Sequence, residues 1–197
     1  MSNARTTVDI IRHGEPVGGR CYRGQGVDDS LSERGWSQMR QATTKPDNWQ
    51  VVISSPMLRC SAFAKELAPS LNVPLVIDHN LIEIGLGVWE GLKPHAVELR
   101  WPEAYAGYYS DPISQRPGGA EPVADFYARV ISAYRQIIMK YRGQHCLIVA
   151  HAGVVRALVA YALEGSLRGL FQVKVPYAGL TRLSEGQNGC ELIFHAR

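Results

Sequence analysis

With 46% hydrophobic and 20% charged residues in 197, the chain has the balance of a globular protein with one sizeable core. Its apolar runs are cut by Arg or His well before the ~18 residues of a membrane span, and no signal-peptide pattern opens it, so a cytoplasmic protein without a membrane partner is expected. Twenty-one basic against eighteen acidic residues leave +3 with no Lys/Arg block, which argues against nucleic acid and suits a small anionic substrate.

Thr6-Thr7-Val8-Asp9-Ile10-Ile11 is a β-branched run of strand composition, and Arg12-His13-Gly14-Glu15 stands where that strand ends. Ligands bind at the carboxyl edge of open α/β sheets, so a cation beside an imidazole there is a candidate for chemistry. A structural Arg-His pair is the competing reading. Gly14 is expected to let a substrate approach closely. Residues 16–31 form a long glycine-rich loop carrying Arg20, Tyr22, Arg23 and Gln25, either functional or merely solvated.

A helix is predicted from Ser32 to about Ala42, capped by Ser32 and stopped by the Lys45-Pro46 step. Gln50-Val51-Val52-Ile53 is a second, buried strand. Ser54-Ser55-Pro56-Met57-Leu58-Arg59 leaves it for a helix with Pro56 in the first turn and Arg59 at its beginning. Cys60, Phe63, Ala64, Leu67 and Leu71 recur at helical spacing, so Cys60 reads as a packed hydrophobe rather than a nucleophile.

Pro74-Leu75-Val76-Ile77 is a third strand. Beyond it Glu83 sits among apolar and glycine neighbours, surroundings that favour a protonated carboxyl, which makes it a candidate proton donor; a partly exposed loop glutamate is the alternative. Residues 93–118 carry Trp101, Tyr105, Tyr108 and Tyr109 between prolines and predict short helices forming a lid, with aromatics that line a pocket or simply pack. Val123 to Tyr141 is the clearest helix, and Cys146-Leu147-Ile148-Val149-Ala150 reads as a strand from the middle of a parallel sheet.

His151-Ala152-Gly153 ends that strand in front of a buried helix whose free N–H groups favour an anion; a satisfied core histidine is the alternative. Phe171–Val175, Leu180–Leu183 and Cys190–Phe194 read as edge strands, the last two a hairpin across Asn188-Gly189. Cys21, Cys60, Cys146 and Cys190 are scattered without metal-ligand spacing, so neither a disulfide framework nor a metal is expected. Residues 1–197 read as one domain; Ser2-Asn3-Ala4 also reads as a cloning remnant.

His13, His151, Arg12, Arg59 and Glu83 thus each follow a strand, and together they suit phosphoryl transfer. Two guanidinium groups hold the equatorial oxygens, one imidazole attacks phosphorus, a second, protonated imidazole neutralises charge, and a carboxylic acid protonates the leaving alkoxide and then activates water. Arg12-His13-Gly14-Glu15, Ser54-Ser55-Pro56 with Arg59, Glu83 with Gly87-Val88-Trp89-Glu90-Gly91, and His151-Ala152-Gly153 resemble, in order, the motifs of the histidine phosphatase superfamily, also called phosphoglycerate-mutase-like. The resemblance implies a three-layer α/β/α fold with a mostly parallel sheet and a phosphohistidine on His13. It further implies phosphoryl binding by Arg12, Arg59 and His151, Glu83 as acid and base, and neither metal nor cofactor.

Within that superfamily, Gly19-Arg20-Cys21-Tyr22-Arg23-Gly24-Gln25 and Leu31-Ser32-Glu33-Arg34-Gly35 are similar to α-ribazole phosphatases of cobalamin nucleotide-loop assembly. This implies a small phosphorylated partner, α-ribazole 5′-phosphate, with Glu15, Arg20 and Gln25 as substrate-binding residues; composition alone suggests Tyr105, Tyr108 or Tyr109 for stacking on the benzimidazole. Alternatives are a sugar or glycolytic phosphate phosphatase, a mutase, or a phospho-ligand module without turnover. Gly19 stands where many relatives have Asn, and Gly118-Gly119-Ala120-Glu121 departs from the family's Gly-Gly-Glu-Ser, so Glu121 carries no inherited role.

Overall fold

The computed structural model describes residues 5–45 and 47–197; Ser2-Asn3-Ala4 and Pro46 of the expected helix stop lie outside the described residues. Six strands, β1 (Thr6–Arg12), β2 (Val51–Ser54), β3 (Leu75–Ile77), β4 (His145–Ala150), β5 (Leu180–Gly186) and β6 (Gly189–Phe194), form one sheet in the order β3-β2-β4-β1-β5-β6. The first four strands of that order are mutually parallel; β5 runs antiparallel to β1, and β6 antiparallel to β5.

Helices α1 (Glu33–Ala42), α2 (Leu58–Ser70), α3 (Pro94–Arg100), α4 (Pro102–Ser110), α5 (Val123–Lys140) and α6 (Ala152–Ala162) complete the chain. Alternation along each central strand sends side chains to both faces. Val8, Ile10, Val51, Ile53, Cys146 and Ile148 pack in one cluster with α5 and α6. Ile11, Val52, Leu147 and Val149 pack in a second with Met39 of α1 and the Cys60, Phe63, Ala64 and Leu67 stripe of α2. Burial on both faces explains why these strands are apolar throughout, each buried aliphatic contributing ~1.5–3 kcal/mol. The three-layer arrangement is the one the sequence predicts.

Local chemistry sets the helix ends. Ser32 Oγ accepts from Gly35 N at 3.0 Å, and Thr43 Oγ1 donates to the Met39 carbonyl at 3.0 Å where α1 stops. α2 begins two residues after Pro56, not on it, because Asp28 of the 16–31 loop accepts from Leu58 N at 2.6 Å and acts as the cap.

Two expectations fail at the C-terminal end. β5 lies inside the sheet between β1 and β6 and is not an edge. Phe171–Val175 forms no strand: a 3₁₀ turn spans Leu167–Gln172, and the next three carbonyls accept from side chains instead of a ladder. Val173 O takes Arg156 Nε, Lys174 O takes His195 Nε2, and Val175 O takes Arg12 Nη1, at 2.9, 2.9 and 2.6 Å.

Candidate active site

Register brings the motif residues together. Arg12 pairs with Ala150 and Ser54 with Val149, so the carboxyl ends of β1, β4 and β2 stand side by side. The backbone continues the pattern, with His13 N donating to Ala150 O at 2.9 Å and Ser55 N to Val149 O at 3.0 Å. The rings of His13 and His151 meet edge to face, centroids 5.3 Å apart. Gly14 does not make room for a substrate: a Cβ there would lie 2.2 Å from the Gly35 carbonyl oxygen, so its bare backbone lets α1 press against the loop after β1.

A cavity of about 810 Å³ opens over these strand ends, its wall including Arg12, His13, Arg59, Glu83, Tyr108 and Arg156. His13 Nδ1 faces the Gly14 carbonyl at 2.8 Å. A carbonyl oxygen only accepts, so Nδ1 carries the proton and Nε2 keeps its lone pair. Burial, then the charges of Arg12 and Arg59, push the His13 pKa well below the usual imidazole range. The surroundings favour the neutral ring with Nε2 unprotonated.

His151 is fully buried behind His13 and outside the cavity wall, with Nε2 2.8 Å from Ser55 Oγ. Burial first, then Arg59, His13 and Arg12, push its pKa well down too. An anion entering beside it would favour the charged form that the expected role in neutralising phosphoryl charge needs. Cys60 is buried against His151, and burial drives its thiol upward, so it packs and does not attack.

Arg59 and Arg12 are both anchored at their terminal nitrogens. Arg59, 1% exposed, donates Nη1 to Val27 O and Nη2 to Gly24 O at 2.9 and 3.0 Å. Arg12 donates Nη1 to Val175 O and lies 4.1 Å from the Tyr177 ring centroid. Both buried Nε groups lack any partner among the described residues. A buried donor left unpaired is costly, and two of them beside one imidazole mark an anion site.

Glu83 reaches the same cavity from the loop beyond β3. Its carboxylate accepts from Gly153 N at 3.1 and 3.2 Å and from Ile84 N at 3.0 Å. A Cβ on residue 153 would stand 2.2 Å from Glu83 Oε1, so only glycine allows this approach. Arg129 fixes the segment from behind through the carbonyls of Asn80, Ile82 and Glu83 at 2.7, 2.9 and 3.1 Å, and Glu121 holds Arg129 at 2.7 and 2.9 Å. Glu90, the more ordinary glutamate in sequence, accepts from the N–H groups of Gln25, Gly26 and Leu86 and ties the Arg59-holding loop down.

The structure does not gather all three expected substrate contacts. Arg20 lines the cavity. Gln25 is instead spent on Glu121 at 2.9 Å, and Glu15 faces Arg34 of α1 at 3.6 Å; neither belongs to the wall. Of the lid aromatics, Tyr108 and Tyr109 line the cavity, whereas Trp101 and Tyr105 pack against the core. Sequence reasoning missed Arg156 and Tyr177 as wall residues. Arg156, three residues past Gly153 in an apolar helix, carried a readable signal, since positions i and i+3 share a face. No group of three or more His, Cys, Asp or Glu side chains among the described residues is arranged to hold a metal ion, and no described helix is long and apolar enough to cross a membrane.

Known proteins share the fold that carries this site. The Bifunctional protein Rv2228c of Mycobacterium tuberculosis is 31% identical over 181 residues, 89% of this chain and 49% of that protein, so the chain spans about half the length of such curated relatives. Mycobacterial glucosyl-3-phosphoglycerate phosphatase complexed with VO3 superimposes with a TM-score of 0.86 at 25% identity, covering 97% of this chain and 99% of that one. The α-ribazole phosphatase from Shigella flexneri shares the fold, with a TM-score of 0.83 at 22% identity and coverage of 97% and 96%. A sequence model of the histidine phosphatase superfamily, branch 1, matches residues 8–196. From the first strand to the last, then, the chain belongs to the histidine phosphatase superfamily.

Proposed function

We propose that this protein is a phosphomonoesterase acting through a phosphohistidine. His13 Nε2 attacks phosphorus as the P–O bond to the alcohol breaks, and Glu83 delivers a proton to the departing oxygen. Glu83 then takes a proton from water, whose oxygen displaces His13 and releases inorganic phosphate. Arg12 and Arg59 carry the charge on the equatorial oxygens, and an entering dianion draws a proton onto His151. One observation carries the reading: two buried, unpartnered guanidinium N–H groups flank an imidazole with a free nitrogen.

Incubation with p-nitrophenyl phosphate at mildly acidic pH tests it. Release of nitrophenol by the wild type, lost in His13→Ala, is expected; no release favours a phospho-ligand module. Free phosphate measured against isomerised product separates phosphatase from mutase. The narrower reading, hydrolysis of α-ribazole 5′-phosphate in the cytoplasm, draws support from Arg20 and the aromatic wall and loses the support of Gln25 and Glu15. A kinetic comparison of α-ribazole phosphate with phosphoglycerates and sugar phosphates decides the substrate.

A further inference from the structure

The turn that leads into β5 grips the end of β1. Arg12 N donates to Gly179 O at 3.2 Å, Arg12 Nη1 donates to Val175 O at 2.6 Å, and Ala178 N donates to His13 O at 3.4 Å. Tyr177 stands between these bonds. Ala178 turns the chain in the left-handed region, at φ 54°, a conformation that costs a residue with a Cβ and persists where the surroundings over-determine it. A Cβ on residue 179 would lie 2.9 Å from Pro176 Cγ, so the turn closes tightly around the tyrosine.

The Tyr177 ring lies over the guanidinium, its centroid 4.1 Å from Arg12 Cζ, and its centre is 5.9 Å from that of the His13 ring at a tilt of 46°. One side chain on the cavity wall thus adjoins both the nucleophile and a phosphoryl cation. The negative face of an aromatic ring attracts a cation, and a flat guanidinium stacked on it has its plane set by the contact. With Nη1 spent on Val175, the edge left for an anion is that of Nε and Nη2, and Nε has no partner among the described residues. Charge spreads over the equatorial oxygens during phosphoryl transfer, so the aim of that edge matters to the rate. A misplacement of about 1 Å can cost on the order of 10²-fold.

We propose that Tyr177 is a positioning residue for phosphoryl transfer: its ring face sets the plane of the Arg12 guanidinium beside His13, so that the Nε edge meets the equatorial oxygens. The inference rests on the phosphatase reading of the same site. The role belongs to the ring and not to the hydroxyl, which separates it from a polar contact with substrate.

Vanadate bonded to an imidazole is five-coordinate and resembles the phosphoryl group in transfer, whereas inorganic phosphate resembles a ground state. Calorimetric binding of the two reads positioning without turnover. Tyr177→Phe is expected to keep the ratio of vanadate to phosphate affinity within about threefold of wild type, and Tyr177→Leu to lower it by about tenfold or more. In turnover of p-nitrophenyl phosphate, Tyr177→Leu should lose about tenfold in kcat with KM moved by less than about threefold. Pentafluorophenylalanine at position 177 keeps the size of the ring and removes its negative face, so it decides the matter even where Tyr177→Leu fails to fold; it should lower the affinity ratio by about threefold or more. An unchanged ratio in either folded variant, or an equal loss in Tyr177→Phe, overturns the role of the ring. Absence of wild-type turnover sinks the phosphatase reading, while the affinity ratio still judges Tyr177.

Discussion

His13 gives its Nδ1 proton to the carbonyl oxygen of Gly14 at 2.8 Å, and this bond between sequence neighbours decides which nitrogen is free to react. Rapid-quench labelling with a phosphomonoester is expected to trap an acid-labile, base-stable phosphoenzyme with the phosphoryl group on Nε2 of His13. His13→Ala should abolish both label and turnover. Label on another residue, or on Nδ1, contradicts the assignment.

Both buried imidazoles have pKa values pushed well below 6.5, chiefly by burial and then by the neighbouring guanidinium charges. Below about pH 6.5 the unfolded chain takes up protons that the native state refuses, so stability falls from there down to the native pKa values. Urea unfolding is expected to show a weaker protein at about pH 5 than at about pH 7, with a smaller difference in His151→Gln. In an NMR titration the His13 ring should change charge well below 6.5 and move upward in Arg59→Met, which removes a repelling charge. A midpoint unmoved by that substitution would show that the Arg59 charge plays no part in setting it.

Glu83 depends on the bare backbone of Gly153. Glu83→Gln is expected to slow hydrolysis of alkyl phosphates by ~10²-fold or more, and of p-nitrophenyl phosphate much less, because nitrophenolate leaves without a proton. Gly153→Ala should mimic it, since its methyl group would overlap Glu83 Oε1 and crowd Phe126 Cζ at 3.1 Å, at a folding cost of ~1–3 kcal/mol. Full alkyl phosphatase activity in a folded Gly153→Ala protein would show that Glu83 is not the acid.

The Arg129 clamp makes a similar prediction from outside the cavity. Without Arg129, three carbonyls around Glu83 lose their donor and Glu121 loses its cation. Arg129→Met is expected to lower kcat for glycerol 3-phosphate by ~10-fold or more while reducing kcat for p-nitrophenyl phosphate less, as befits a lost placement of the acid. Equal losses on the two esters point to general damage instead.

The five central residues were legible because each stands just past a predicted strand, and a parallel sheet collects such ends on one edge. Arg12, His13 and His151 stand at the strand ends themselves, whereas Arg59 and Glu83 reach the same edge from a helix start and a loop. Glu15 and Gln25 were misplaced because their partners, Arg34 and Glu121, are chosen by loop folding and by a contact 96 residues away. Glu90 stands out in sequence only as part of a family motif; its work, accepting three backbone N–H groups from two separate loops, has no local signal. The apolar alternation of Phe171–Val175 pointed to a strand, and tertiary demand for its carbonyls overrode it.

That stretch has a consequence for how the protein is made. Residues 173–175 orient the side chains of Arg12, of Arg156 on α6 and of His195, so no earlier stage of synthesis can aim them. The segment up to residue 170 already contains His13, Glu83, Arg12 and Arg59. It should nevertheless grip phosphate poorly until the tail emerges from the ribosome and docks.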